Sequence, residues 1–398
     1  MGVHPDTWAG VLAVATVPVA GPVDLAGSLD VFRRSGDDLL DRWDGRVWLR
    51  AVAAGDRMVA VAARPAGTVD DPALLVEAEA GADATGAGRA LAAAFPTAPE
   101  ALAELAAADP VVARIAARFP GIGPVLQPDL LTAVVRAISA QQITLRFAAV
   151  LRARLARRYG HRHQVPLPPG VWTTPGTPPD RRLPSRSGAP ASPGGGDPWS
   201  EAPASRGGGD PWSGAPASWG GGDPWPAGPA EGEVWSLDAG RLAGAEVAEL
   251  RELQFSTSKA VAVVAFAEAV AAGRMDLGEL AALEDEAVVE RLVAFPGIGR
   301  WTAEWLLART MGRPRVVAGD LGVRKAVGAA YLDGRMPSEA EVRAATAHWG
   351  AAAGVAQQLL LHWLSTEAPG RGGPRRAARP ATGPRRSATR PGRSSRPG

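Results

Sequence analysis

Apolar and polar residues alternate along residues 8–80 in the manner of half-buried strands, with one short helical stretch among them. Ala54, Gly55 and Asp56 form a hairpin-type turn between two of these strands. The pattern predicts a small antiparallel α/β domain over residues 1–95. The predicted strands cover residues 8–19, 47–53, 57–63 and 74–78, and the predicted helix covers residues 22–34.

From about residue 85 the apolar residues recur every three or four positions, which is the period of an amphipathic helix. We therefore expect a mainly α-helical domain made of residues 96–163 and 233–368, and an α+β fold overall. The predicted helices cover residues 99–107, 110–118, 128–158, 244–253, 256–272, 284–294, 300–311, 321–332, 338–349 and 351–366.

Two segments lack any apolar period. In residues 164–232 the string Gly-Gly-Gly-Asp-Pro-Trp ends at Trp199, Trp212 and Trp225, a 13-residue period. A Trp-bearing binding repeat is one interpretation. The composition favours a disordered insert, because it cannot bury enough apolar surface to offset the entropy of ordering. Residues 369–398 contain nine Arg and no acidic residue, and are expected to form a disordered basic tail.

Composition excludes several classes of function. The chain has no Cys, which excludes disulfides, thiolate metal sites, a Cys-ligated iron–sulfur cluster and a cysteine nucleophile. No uninterrupted apolar run reaches the length of a membrane span, so a cytoplasmic protein without membrane contact is expected. His161 and His163 lack an evident third metal ligand, so we expect a solvated helix end there and no metal site.

Charge is unevenly distributed along the chain. Removing the nine Arg of the tail from the formal net charge of +2 leaves −7 for residues 1–368. A folded body of this charge can hold a polyanion only through a local patch and backbone donors.

The segment from Leu292 to Val327 is the most informative. A helix stops at Phe295-Pro296, a tight turn follows at Gly297-Ile298-Gly299, and a second helix starts near Arg300. Glycine permits positive φ and close approach of the backbone to a ligand. The N–H groups of the turn and of the second helix then point outward together, which predicts an anion site suited to a DNA phosphate.

The same five residues, Phe-Pro-Gly-Ile-Gly, also occur at residues 119–123. There Pro124 and Pro128 follow closely and prevent a helix from continuing directly. We expect that copy to be a loop. The string alone is weak evidence, and it becomes strong only with the following helix and a carboxylate at fixed distance.

The hairpin, the Trp301-Thr302-Ala303 helix start and Asp320 together resemble the helix-hairpin-helix–Gly/Pro–Asp (HhH-GPD) superfamily of DNA glycosylases. Within it, the chain most resembles the DNA-3-methyladenine glycosylase II family. Residues 133–144 are similar to the family's helix and Gln-containing turn, and residues 359–367 to its last helix. The likeness is looser over residues 8–65 and excludes the insert and the tail.

The resemblance implies a monofunctional enzyme of base excision repair. It would flip an alkylated purine such as 3-methyladenine out of double-stranded DNA and hydrolyse the N-glycosidic bond. Asp320 occupies the place of the catalytic aspartate, and as an N-cap of the next helix it would also have a structural role. A fixed carboxylate stabilises the sugar cation that develops as the bond breaks. A monomer associated with the nucleoid is expected.

The resemblance also assigns binding residues. Trp301, Trp305 and Trp363 are expected at the base pocket, where electron-rich rings favour a cationic base, although core packing is the alternative. Trp363 stands one position early, with Leu364 at the family's aromatic position, so the pocket register stays open. Contact with DNA is expected from Gly297, Ile298, Gly299, Arg300, Thr302, Gln141 and Gln142. Gln142 would be the wedge that fills the gap left by the flipped nucleotide; a helix-capping glutamine pair is the alternative.

Bifunctional relatives carry a Schiff-base lysine where this chain has Trp301, so no lyase step is expected. No cofactor is expected, and any ion at the hairpin would be a monovalent cation held by backbone carbonyls. Two alternatives stay open. The lesion could be oxidised guanine or uracil, or the chain could be a non-catalytic helix-hairpin-helix DNA-binding protein, against which Asp320 argues because a carboxylate repels phosphates.

Overall fold

The computed structural model describes residues 12–55, 57–127, 129–165, 167 and 232–367. Its N-terminal part is an antiparallel sheet of five strands in the order β1-β5-β4-β3-β2. β3 and β4 pair from Trp48 opposite Ala63 to Ala54 opposite Arg57, which confirms the predicted hairpin. The elements of this part are β1 (Leu12–Pro18), α1 (Leu25–Ser35), β2 (Asp41–Trp43), β3 (Trp48–Ala54), β4 (Arg57–Gly67), β5 (Pro72–Glu79) and α2 (Ala84–Ala92).

Alternating burial along β5 explains why the sheet covers a core on one face. Leu74, Val76 and Ala78 are buried, while the residues between them are more exposed. The core between the sheet and its helices centres on Trp48, which stacks on Phe32 of α1 with ring centroids 6.1 Å apart. Sequence patterning predicted the strands β1, β3, β4 and β5 and the helix α1, and it missed the short β2 and the helix α2.

Helices make up most of the remaining described chain, which confirms the predicted α+β class. The helices of this part are α3 (Pro99–Ala108), α4 (Pro110–Arg118), α5 (Leu130–Ala140), α6 (Leu145–Tyr159), α7 (Ala239–Ala243), α8 (Val247–Glu252), α9 (Thr257–Ala271), α10 (Leu277–Ala281), α11 (Asp285–Val293), α12 (Arg300–Arg309), α13 (Leu321–Tyr331), α14 (Glu339–Thr346) and α15 (Ala353–Thr366), with a 3₁₀ turn at Ala347–Ala352 before the last. The largest buried core joins α5, α6, α9, α11 and α12, with α9 at its centre.

The predicted helix over residues 128–158 is in fact two helices. α5 ends at Ala140, the chain turns through Gln141 and Gln142, and α6 begins after its N-cap, Thr144, whose side chain accepts a hydrogen bond from the N–H of Phe147. Gln142 has a φ of 60°, in the left-handed region. Two helices therefore meet at an exposed corner, where residues 133–144 resembled the family's Gln-containing turn.

The expectation of a helix end at His161 and His163 is wrong. α6 stops at Tyr159, and the two histidines lie in a strand, β6 (Gly160–Gln164), paired antiparallel with β7 (Glu233–Leu237). His161 Nε2 lies 2.5 Å from Asp238 Oδ2, and His163 Nε2 lies 2.9 Å from Ser236 Oγ. The alternation of His with polar residues in this stretch has no apolar period that predicts a helix or a strand. The strand forms because it pairs with β7, on the other side of the insert in the sequence.

The strands β6 and β7 stand on either side of the repeat segment. Val165 and Val234 pack with Leu49 of β3, so the segment starts and ends beside the N-terminal sheet. Nearly all of residues 164–232, and all of the tail, lie outside the described residues. The boundaries proposed for the insert and the tail stay predictions.

A buried cluster of charges joins the sheet to the helical part. Asp38 accepts hydrogen bonds from Arg136 of α5 and Arg152 of α6, the latter at 2.8 Å from Nε. Asp41 lies 2.9 Å from Arg136 and 3.1 Å from Arg50. Burial alone would raise the pKa of Asp38, but the two arginines lower it below its ordinary value. Removing one member would leave an uncompensated buried charge.

Candidate active site

The predicted hairpin is present between α11 and α12. Gly297 has a φ of 75°, and a Cβ there would lie 2.7 Å from the Cβ of Ala262 in α9, so only glycine fits. Ile298 is buried and anchors the turn. Gly299 is the N-cap of α12, and no heavy atom of the described residues lies within 4 Å of the place where its Cβ would be. No side chain caps this end of α12, so the N–H groups of its first turn are available to an anion.

Arg300 and Thr302 have different environments in the first turn of α12. The Arg300 side chain is half exposed, and it pairs with Glu286 at 3.0 Å and with buried Glu304 at 3.1 Å. An exposed guanidinium with several donors can exchange one carboxylate for a phosphate. The Thr302 side chain is buried and accepts a hydrogen bond from Gln141 at 3.3 Å, so only its backbone N–H faces the open end of the helix.

The turn between α5 and α6 lies directly against the hairpin. Gln141 Nε2 donates to the carbonyl oxygen of Gly297 at 3.1 Å, while Gln142 is exposed. The structure thus brings both glutamines to the predicted site in different ways. Gln141 has its amide committed within the protein, and Gln142 is free to reach outward.

Asp320 lies at the start of α13. Its side chain caps this helix and is partly buried. Its Oδ1 accepts the N–H of Val323 at 2.9 Å, the geometry of an N-cap. Burial raises the pKa of Asp320, while the N–H groups of Val323 and Gly322 and the charge of Arg309 act in the opposite direction. The carboxylate is therefore held in a water-poor place, which is typical of functional acids.

Two residues fix the loop that carries Asp320. The N–H of Val317 donates to Gln357 Oε1 of α15 at 2.7 Å, and the N–H of Asp320 returns to the carbonyl of Val317 at 3.0 Å. Arg309, at the end of α12, donates to Gln358 Oε1 at 2.7 Å, and burial lowers its pKa while Asp320 raises it. The loop is thus hydrogen-bonded to α15, and Arg309 of α12 acts on Asp320 through its charge.

Sequence reasoning missed these supporting residues. A signal for one pair existed, since Gln357 and Gln358 interrupt an otherwise apolar stretch of α15. No sequence signal distinguished Arg309 from the many other arginines.

The three tryptophans predicted at the base pocket are separated. Trp301 is partly buried and lies beside the Asp320 loop. A Cβ on Gly319, the residue before Asp320, would lie 3.2 Å from Trp301 Cδ1. Trp305 packs against the core around α9. Trp363 lines an outer groove with Arg114 and Arg118 of α4, and no residue of the Asp320 loop lines that groove. Of the three, Trp301 is the one that the structure brings next to the candidate acid.

The second Phe-Pro-Gly-Ile-Gly string forms a loop, as predicted. The N–H of Asp24 donates to the carbonyl of Gly121 at 2.8 Å, and the N–H of Gly123 donates to Ser28 Oγ at 3.1 Å. This copy uses its backbone groups to dock on the start of α1, so it presents no open anion site.

Comparison with known proteins supports the resemblance. No family model matches the chain. A stretch of 80 residues is 35% identical to a Bacillus subtilis protein provisionally named a DNA-3-methyladenine glycosylase, covering 20% of this chain and 28% of that protein. The match thus spans about a quarter of that relative's length.

Solved structures share the fold over most of the chain. The 3-methyladenine DNA glycosylase of Archaeoglobus fulgidus superposes with a TM-score of 0.61 at 22% identity, covering 87% of this chain and 96% of that one. An 8-oxoguanine glycosylase/lyase of Clostridium acetobutylicum, in complex with double-stranded DNA, superposes with a TM-score of 0.54 at 12% identity, covering 89% and 97%. The fold is therefore that of DNA glycosylases that act on different lesions.

Among the described residues, no cluster of His, Asp or Glu is arranged to hold a metal ion. None of the described helices is both long enough and apolar enough to cross a membrane.

Proposed function

We propose that this protein is a DNA glycosylase that flips an alkylated purine out of double-stranded DNA and releases it by hydrolysis. One observation carries the proposal: Asp320, a partly buried carboxylate with a raised pKa, begins the helix that follows a hairpin with open N–H groups. The N-cap role alone does not require a buried charge, since a neutral Ser or Asn caps a helix equally well, and a carboxylate at this place repels phosphates.

The hairpin and the turn at Gln142 would share the work of extracting the base. The N–H groups of Gly299 and the first turn of α12 grip one phosphate without reading sequence. Gln142, exposed at the corner between α5 and α6, enters the stack where the nucleotide leaves. An alkylated base pairs and stacks poorly, which lowers the cost of flipping.

Bond cleavage would depend on the charge of Asp320. As the N-glycosidic bond breaks, the sugar becomes positively charged, and a preorganised carboxylate stabilises that charge and orients the attacking water. Arg309 favours the ionised form of Asp320 against the effect of burial. An alkylated purine is already cationic, so it leaves without an acid to protonate it.

Trp301 supports a cationic substrate, because its indole lies beside the Asp320 loop and indole attracts cations. The similarity to an 8-oxoguanine glycosylase/lyase keeps oxidised guanine as a second candidate lesion. A lyase step requires an amine in the site. Trp301 provides none, and the amine of Lys259 is committed to the carbonyls of Ser139 and Gln141.

The decisive experiment measures base release from methylated duplex DNA, with the products identified, beside duplexes that contain 8-oxoguanine or uracil. We expect release of methylated purines, an intact strand bearing an abasic site, and no covalent adduct after borohydride treatment. Release of 8-oxoguanine alone would replace the substrate assignment. DNA binding without release of any base would leave the scaffold alternative.

A further inference from the structure

Lys259, in the first turn of α9, is hydrogen-bonded to the end of another helix. Its Nζ donates to the carbonyl of Ser139 at 3.0 Å and to the carbonyl of Gln141 at 2.6 Å. Both carbonyls belong to the C-terminal end of α5, where carbonyls lack helical partners and the helix dipole is negative. The ammonium is half-buried, and its desolvation lowers the pKa of Lys259. A group placed there at this cost has a specific task.

The carbonyl of Gln141 shares a rigid peptide plane with the N–H of Gln142. Fixing that carbonyl therefore fixes the orientation of the peptide plane from which Gln142 continues, and Gln142 leaves this plane with a φ of 60°, which is strained for a residue with a Cβ. Lys259 is thus well placed to hold the exposed glutamine in the direction it takes.

The same helix also supports the hairpin. Ala262, one turn after Lys259, lies against Gly297 so closely that no Cβ fits between them. Gln141 connects the two turns directly, because its side-chain amide donates to the carbonyl of Gly297 in the hairpin at 3.1 Å. The first turns of α9 therefore contact both the Gln141–Gln142 turn and the hairpin.

We propose that Lys259 is a positioning residue that holds the Gln141–Gln142 turn against the hairpin. Gln142, the proposed wedge, and the N–H groups that bind a phosphate at the start of α12 would then act on DNA as one rigid unit. The inference rests on the proposed function, since it concerns how the flipped state is held. Lys259 touches neither the base nor the sugar in this scheme. Its loss weakens wedge insertion and leaves phosphate binding in place.

The test compares Lys259→Met with Lys259→Arg, whose guanidinium can also donate to two carbonyls. Arg57→Met is the charge-matched control, because Arg57 is exposed on the β3–β4 hairpin and pairs there with Glu79. Three quantities are measured for each protein: affinity for an undamaged duplex, fluorescence of 2-aminopurine beside a tetrahydrofuran abasic analogue, and the single-turnover rate on methylated DNA. The fluorescence reports wedge insertion independently of any base release.

For Lys259→Met we expect undamaged-duplex affinity within about threefold of wild type, which is the scale of one weakened phosphate contact. The fluorescence change should be lost, and the single-turnover rate should fall on the order of 10²-fold, as for a misplacement of about 1 Å. Lys259→Arg should restore both the signal and most of the rate. Arg57→Met should resemble wild type in all three measurements.

Gln141→Met tests the same connection from the other side and is used if Lys259→Met does not fold. Where Lys259→Met does fold, the double variant should lose less than the sum of the single losses, because both substitutions break the connection between the Gln141–Gln142 turn and α9 or the hairpin. A full fluorescence signal in Lys259→Met overturns the inference, as does an equal loss in affinity and rate that arginine does not restore. If the fluorescence signal is lost in Lys259→Met and restored in Lys259→Arg while the wild type releases no base, the positioning role of Lys259 is supported and the proposed excision is refuted.

Discussion

Replacing Asp320 by Asn removes one charge from the candidate site and little else. Asn is as good an N-cap as Asp, so its Oδ1 can keep the 2.9 Å bond from the N–H of Val323. The loop also keeps its bond from Val317 to Gln357. We expect base release to fall by about 10²–10³-fold, the usual loss when one preorganised electrostatic group is removed.

The same substitution should stabilise the protein at neutral pH. Burial raises the pKa of Asp320 above its ordinary value of 3.8, so the folded state binds the proton more tightly than the unfolded state does. Ionisation therefore costs stability, and the cost grows from about pH 3.8 until the pH passes the folded pKa. Each unit of difference is worth about 1.4 kcal/mol. Asn avoids this cost, and its advantage should vanish in acid.

Calorimetric melting at neutral pH and near pH 4, paired with single-turnover base release, checks both expectations. Asp320→Ala should lose release and also about 1 kcal/mol for the missing cap. Ser338→Ala is the matched control, because Ser338 caps α14 by accepting the N–H of Glu341 at 3.3 Å. It should lose similar stability and keep full release. An Asp320→Asn protein that releases base normally, or that melts below wild type at neutral pH, refutes the reasoning.

Three further outcomes are expected. Arg309→Met should move the acidic limb of the base-release rate, plotted against pH, to higher pH, because Arg309 lowers the pKa of Asp320 and activity needs the carboxylate. Arg309→Lys should move this limb less. An unmoved limb would contradict the proposed effect of Arg309 on Asp320. Asp38→Asn should cost about 3–5 kcal/mol in urea unfolding, because Arg136 and Arg152 lose their buried counter-charge, whereas a near-neutral result would show that water replaces it. Deleting residues 369–398 should reduce the slope of log affinity against log salt by about 0.9 for each phosphate that the tail no longer neutralises, with the rate at saturating enzyme unchanged; an unaltered slope would show that the tail does not hold DNA.

The sequence predicted the parts of the fold that periodicity and turn chemistry determine locally. The β3–β4 hairpin, the hairpin at Gly297 and the start of α13 at Asp320 follow from glycine, proline and capping residues near their places in the chain. The break between α5 and α6 lay inside one apolar period. Thr144 caps α6 locally, and the side-chain amide of Gln141 adds a contact to the carbonyl of Gly297, 156 positions away, which lies outside any local pattern.

The candidate site shows the same division. Asp320 could be predicted as the candidate catalytic acid from its distance along the chain to the hairpin, because the family resemblance fixes that distance. Trp301 and Trp363 were both predicted at the base pocket, the latter with its register open, yet one lies beside Gly319 and the other lines a groove along α4. Which side of a helix faces the site depends on packing between α12, α13 and α15, and packing of this kind is not encoded in spacing alone.

The pairing of β6 with β7 has a consequence for how the gene can change. The N–H of Val165 donates to the carbonyl of Gly232 at 2.9 Å, so the two ends of the segment between them lie side by side. Lengthening a loop whose ends are already joined costs only about 0.6 kcal/mol for each doubling. α6, with 15 residues, separates this point from the Gln142 corner by about 22 Å. Repeat units can therefore be gained or lost there by unequal copying without displacing the Gln142 corner.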